Sequence, residues 1–147
     1  MTNRPIRLAV RGVLLQDDRL LLVNAWPGGV SDLWCAPGGG VEKGQSLPDN
    51  LAREIMEECG LSVTVGAPCL VNEFHNPADG FHQVEIFFRC QLTSALPPAW
   101  TDPEGVVTKR RFFSRDEVQG LHLKPDSLRH IPWSETIAYD ALELLTK

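Results

Sequence analysis

The chain has 147 residues, 43% of them apolar and 22% charged, with a formal net charge of −5. That length fits one domain over residues 1–147 with a real core, and the acidic balance argues against a broad nucleic-acid or anionic-membrane footprint. No apolar run is long enough for a membrane span or a signal peptide, so a cytoplasmic protein is expected.

In chain order, residues 6–15 (IRLAVRGVLL) alternate as a strand, with Gly12 marking a bulge or close packing. A polar turn at Gln16–Arg19 and a short buried strand at Leu20–Val23 make a hairpin over residues 6–24. Trp26-Pro27-Gly28-Gly29 opens a loop, and Leu33–Ala36 runs as a short apolar segment into Pro37-Gly38-Gly39. A helix then starts at Ser46, a candidate N-cap with Asp49 three residues on. It takes Pro48 in its first turn, buries Leu51, Ile55 and Cys59, and stops at Gly60, which suits a left-handed C′ position. Leu61–Val65 and Cys69–His75 read as two strands separated by Gly66-Ala67-Pro68. Asn76–Gly80 is a strong turn signal.

Phe81–Leu92 is the clearest strand. Val84, Ile86, Phe88 and Cys90 fall on one face; Gln83, Glu85, Phe87 and Arg89 fall on the other. Leu96-Pro97-Pro98-Ala99-Trp100 excludes a central strand or helix. Val106–Phe113 follows as a strand. Ser114–Glu117 caps a short helix near Val118, and Ser134–Leu145 has the period of an amphipathic terminal helix. The four cysteines, Cys35, Cys59, Cys69 and Cys90, form no C-x-x-C pair, so zinc is not indicated and each reads as a small hydrophobe. Strands outnumber helices, which supports an α+β protein.

The feature that carries chemistry lies on the first helix. Glu54, Glu57 and Glu58 stand at i, i+3 and i+4 and project from one face, where like charges repel. Such a face is either solvated or gathered on a hard divalent cation. The preceding glycines let backbone approach a ligand closely. The wider pattern resembles the Nudix box: Gly39, five residues, position 45, seven residues, then Arg53-Glu54-Ile55-x-Glu57-Glu58-x-Gly60-Leu61. The one departure is Gln45, where the family has glutamate.

That resemblance implies an α/β/α sandwich around a mixed sheet, over most of residues 5–145. It implies a hydrolase cleaving the pyrophosphate bond of a nucleoside diphosphate linked to another group. Alternatives are a nucleoside triphosphate pyrophosphohydrolase, or a catalytically weakened Nudix-like domain that binds a ligand. It also implies Mg²⁺ or Mn²⁺ held by Glu54, Glu57, Glu58 and the Gly39 carbonyl. Glu54 is the candidate general base, with Glu57 beside it and Arg53 orienting a neighbouring carboxylate. Gln45 carries no charge and cannot act as a base, so an altered rate is expected; Glu42 is a substitute or an exposed loop acid. A distal acid from Asp102 or Glu104 is expected near the metal, or else these make a solvated turn. Arg7, Arg11 and Glu85 alternate on strand faces and are candidates for substrate, against simple exposure for the arginines. Glu85, if buried, needs Arg89 or a cation beside it. Trp26, Trp34, Phe74, Phe81 and Trp100 could stack on a base or serve the core, and His75 and His82 could meet phosphate or lie at the surface. The partner is a small nucleotide rather than nucleic acid or membrane, and any oligomer is expected to be a homodimer.

Overall fold

The computed structural model describes residues 4–95, 97 and 99–147. Its frame is a nine-stranded mixed sheet. Strand β1 (Arg7–Gln16) turns at Asp17 and Asp18 into β2 (Arg19–Asn24). Both turn residues take positive φ, 50° and 64°, a region aspartate tolerates. The first half of β1 is flanked on one side by β4 (Gly38–Gly40), antiparallel, and on the other by β6 (Phe81–Leu92), parallel. The end of β1 pairs with β2, which carries β3 (Trp34–Cys35) and β7 (Arg110–Phe113). Strand β5 (Val63–Asn76) runs antiparallel to β6.

Helix α1 (Leu47–Cys59) covers one face of the sheet, burying Leu51, Ile55 and Cys59 against Val10, Leu14, Leu21 and Phe88. A Cβ on Gly12 would lie 2.8 Å from Ile55 Cδ1 and 3.3 Å from Cys90 Sγ, so Gly12 serves close packing of α1 on β1. The helix ends are set by local chemistry. The Ser46 hydroxyl accepts from the Asp49 N–H at 3.2 Å, and Gly60, at φ 68°, donates its N–H to the Met56 carbonyl. The opposite face packs Val13, Leu20, Leu70 and Phe87 against Val118, Leu128 and Ile131. These come from α2 (Arg115–Val118) and two 3₁₀ turns, Asp126–Arg129 and Ile131–Trp133. Ser114 and Glu117 cap α2 reciprocally. From β6, Ile86, Phe88 and Cys90 pack on the α1 side and Phe87 packs on the other, so the strand is covered on both faces while its sequence alternates. The expected α+β sandwich around a mixed sheet is what forms.

Three elements differ from the sequence reading. Residues 63–76 are one strand, because register shifts between Val65 and Leu70 absorb the Gly66-Ala67-Pro68 segment as an irregularity. Only Arg110–Phe113 of the expected strand at 106–113 joins the sheet. Side chains take the place of the ladder before it: Asp102 accepts from the Val106 and Val107 N–H groups, and the Asn24 Oδ1 accepts from Thr108 and Lys109. The terminal helix at 134–145 is absent. Its place is taken by β8 (Ala138–Tyr139) and β9 (Glu143–Leu144), both parallel to β5. The open edge of β5 supplies carbonyl partners, from Val71 to the Asp140 N–H and from His75 to the Leu145 N–H, and this outweighs helical periodicity. Ile137 is 80% exposed, so the apolar stripe does not face a core. Of the proline-rich stretch, Leu96 and Pro98 lie outside the described residues; Pro97 and Trp100 are in neither helix nor strand. Among the described residues no helix is long and apolar enough to cross a membrane.

Candidate active site

Helix α1 carries its acids over the three glycines of β4. A Cβ on Gly39 would sit 2.6 Å from the Glu54 carboxyl carbon, and one on Gly40 would sit 2.6 Å from an Arg7 guanidinium nitrogen. At Gly38 it would collide with the Val10 carbonyl. β4 is therefore a partition one backbone thick, with acids on one side and arginine on the other. The Gly38 N–H donates to Glu58 Oε2 at 3.1 Å, while Arg11 donates to the carbonyls of Ala36 at 3.2 Å and Gly38 at 3.4 Å.

Arg53 is the hub of the acidic face. It donates to both oxygens of Glu57 at 3.2 Å, lies 3.4 Å from Glu54, and meets Asn50 and, more loosely, Glu42. Its Nε donates to the Gln45 Oε1 at 3.2 Å. The residue that departs from the box is thus a partner of Arg53, and the exposed Glu42 is a weaker one.

With Arg53 holding Glu57 and Gly38 holding Glu58, no group of three His, Cys, Asp or Glu is gathered as a ready-made metal site among the described residues. The electrostatics nevertheless suit a cation. Burial pushes the Glu58 carboxyl up to about 7, outweighing Arg11 and the Gly38 bond, which act in the other direction. Glu58 makes no ion pair among the described residues. Burial also raises Glu54, with Glu57 and Glu104 adding to the effect and Arg53 opposing it. Hard oxygen donors with too little positive charge beside them fit Mg²⁺ or Mn²⁺.

The distal candidates separate. Asp102 is not solvated: it is buried, accepts from three backbone N–H groups at 2.9–3.2 Å, and shapes its own loop. Glu104 is exposed, and its charge reaches Glu54. Glu85 is buried, and its partner is Arg11, at 2.6 Å. Of the two alternatives, Arg89 or another cation, it is the second that forms; Arg89 donates to the carbonyls of Ile131 and Thr136. Arg11 is not an exposed strand residue; its side chain is 18% exposed and braces the glycine partition. Arg7 donates to the neutral Gln83.

On the face away from α1 lies a cavity of about 390 Å³. Its floor is set by strand register across β1, β6 and β5. One row is Arg7, Gln83 and Phe74; the next is Ala9, Glu85 and Asn72. Trp26 and Phe81 complete the aromatic lining. The other aromatic candidates go elsewhere: Trp34 packs edge-on to Phe113, and Trp100 lies under the Arg110 guanidinium at 4.0 Å. His82 meets Glu73 at 3.3 Å. Sequence reasoning missed Asn72 and Gln83. The available signal was the alternation Leu70, Asn72, Phe74, which puts a polar residue inside an apolar face.

The profile of the NUDIX domain family matches residues 5–136. A Bacillus subtilis protein named "Putative ADP-ribose pyrophosphatase YjhB" is 28% identical over 137 residues, covering 90% of this chain and 60% of its own. The rat protein diphosphoinositol polyphosphate phosphohydrolase 2 is 32% identical over 104 residues, covering 69% of this chain and 53% of its own. The chain thus spans less than two thirds of the curated relatives it matches. Among solved structures, a NUDIX hydrolase from Nitrosomonas europaea superposes with a TM-score of 0.69 at 27% identity, covering 82% of each chain.

Proposed function

Because the chain belongs to the NUDIX domain family, we propose that it is a divalent-metal-dependent hydrolase of pyrophosphate bonds, acting on a nucleoside diphosphate joined to a second group. The observation that carries this reading is the acidic side of the glycine partition. There Glu58 is lifted to about 7 by burial and has no ion-pair partner among the described residues, with Glu54 and Glu57 beside it. Glu54, Glu57, Glu58 and the Gly39 carbonyl would hold the metal. When bound, Mg²⁺ or Mn²⁺ supplies Lewis acidity and neutralises charge on the diphosphate.

The chain's own residues do the rest. Glu54, whose pKa burial raises, takes the proton of the attacking water. The water oxygen bonds to phosphorus and the bridging P–O bond breaks, leaving two phosphate monoesters. Arg53, whose Nη1 donates to both oxygens of Glu57, fixes that carboxylate in place. Arg7, against Gly40 and bonded among the described residues only to neutral Gln83, is the cation that would meet a phosphate across the partition. Gln45 bonding to Arg53 argues against the weakened-domain reading, since the amide keeps the hub anchored.

A panel of ADP-ribose, other nucleoside diphosphate sugars and nucleoside triphosphates, assayed with Mg²⁺, Mn²⁺ or EDTA, tests the reading. Turnover of a diphosphate-linked nucleotide that EDTA stops is expected. Glu57→Gln and Glu58→Gln should each cut it at least about a hundredfold, since losing a direct ligand exceeds the usual outer-shell loss. Full activity in EDTA, or in both variants, would refute it.

A further inference from the structure

The cavity behind the partition has an unclaimed polar group. Asn72 is 2% exposed, and its Oδ1 has no hydrogen-bond partner among the described residues. Its polar neighbours are already committed: Gln83 donates to Glu85 at 3.0 Å and accepts from Arg7, and Glu85 also binds Arg11. A buried amide without partners is costly, so it belongs with something that enters the cavity. Phe74, next but one along β5, and Phe81 stand 5.9 Å apart beside it, with Trp26 also in the lining.

Charge narrows the occupant further. Arg11 is paired with Glu85 at 2.6 Å, Lys124 with Glu143 at 3.5 Å, and Arg4 with Asp79 at 3.7 Å. Among the described residues of the lining, only Arg7 is an arginine or lysine with no acid partner. Arg4 lies over the Phe81 ring at 5.3 Å and Lys147 over the Trp26 ring at 4.8 Å, so a ligand end bearing several phosphates would meet cations held at the rim, whereas a flat neutral ring would meet Phe74 beside Asn72 on the floor. From β4 to β5 the sheet spans three strand spacings, about 14 Å. A nucleotide with its phosphates at the glycines would carry its base to Asn72.

We propose that Asn72 is a specificity-determining residue that reads the edge of a nucleobase. A carboxamide presents a donor beside an acceptor, whichever way it is turned, and pairs with a ring edge offering the complement, as adenine does through its amino group and ring nitrogen. Arg7 would take a phosphate of the same ligand. The inference rests on the nucleotide reading above only for which end faces the glycines.

The test is equilibrium binding by calorimetry in EDTA, where no turnover intervenes. The probes are ADP-ribose, GDP-mannose, UDP-glucose, a diphosphoinositol polyphosphate, and the analogue of ADP-ribose lacking the exocyclic amino group. At least one nucleotide should bind wild-type protein below about 1 mM, and more tightly than the inositol compound. Asn72→Leu should weaken that nucleotide about tenfold or more without lowering the melting temperature. Asn72→Asp, which keeps the shape but only accepts, should weaken it as well. If ADP-ribose is the best ligand, the amino-free analogue should bind more weakly to wild type and no differently from ADP-ribose to Asn72→Leu. Equal nucleotide binding in wild type and both variants, tighter binding of the inositol compound, or no nucleotide binding at all would overturn the proposal. Nucleotide binding lost in the variants, with no hydrolysis in Mg²⁺, would sink the enzymatic reading and leave this one standing.

Discussion

Replacing Gln45 by glutamate restores the family pattern and separates two roles for that position. If the residue faces water or metal, a charge there changes chemistry. If it serves Arg53, the change is mainly local. The Gln45 Oε1 accepts from the Arg53 Nε at 3.2 Å, and the Arg53 side chain is 28% exposed. A carboxylate would convert a neutral acceptor into an ion pair, worth about 0.2–1 kcal/mol at such exposure. Against this, Glu57, Glu54 and Glu42 already lie 3.2, 3.4 and 3.6 Å from the same guanidinium, and a fourth acid repels them. The net gain is therefore at most about 1 kcal/mol, which in a chain of this size moves the melting temperature by about 2–4 °C. Turnover should change by less than about threefold. Urea melts and kcat/KM on the best substrate of the panel measure both. A rise in kcat/KM of about tenfold, or 1.4 kcal/mol, would refute the assignment and return Gln45 to the reacting groups.

Glu58 should give the unloaded protein a distinct pH profile. Its folded pKa, lifted by burial from 4.5 to about 7, means the folded state holds a proton that the unfolded chain has released. Stability should therefore be lost as pH rises from about 4.5 through 7, by at most about 3 kcal/mol. In EDTA, Glu58→Gln should flatten that fall; parallel profiles would refute the assignment. For the buried Arg11–Glu85 pair, Glu85→Ala should cost about 3–5 kcal/mol, and Arg11→Met with Glu85→Leu much less than the two single changes summed. Additive urea-melt values would contradict the coupling. Gly39→Ala pushes a methyl group against the flexible end of Glu54, so folding should survive within about 1 kcal/mol while turnover falls at least about tenfold. Wild-type turnover would show that the Glu54 position is not critical.

What the sequence disclosed was what lies close together in it. Helix α1, its serine cap and Gly60 stop were legible because capping chemistry is local; the shared helical face of Glu54, Glu57 and Glu58 was legible from their spacing, whereas reading them as a box needed the longer pattern from Gly39 to Leu61. The strand at residues 81–92 was legible from its alternation. The terminal segment was misread because helical spacing at 137–145 says nothing about the open edge of β5, which is assembled from distant residues. For Glu85 the sequence offered Arg89, four residues along the strand, or another cation; the cation is Arg11, across the sheet and 74 positions away. Asn72 passed unnoticed for the same reason: an asparagine inside a strand is unremarkable until its neighbours turn out to be already engaged.

The row Gly38–Gly40 has a consequence for how this molecule can vary. Glu54 and Arg7 occupy the volume that side chains on Gly39 and Gly40 would need. Any residue larger than hydrogen displaces one or the other, so under the proposed mechanism mutation there disturbs selectivity and bond cleavage together. Asn72 and Phe74 stand on β5, three strands from the glycines and in the cavity on the face away from α1. If Asn72 and Phe74 read the ligand as proposed, preference can diverge there while the box acids stay unchanged.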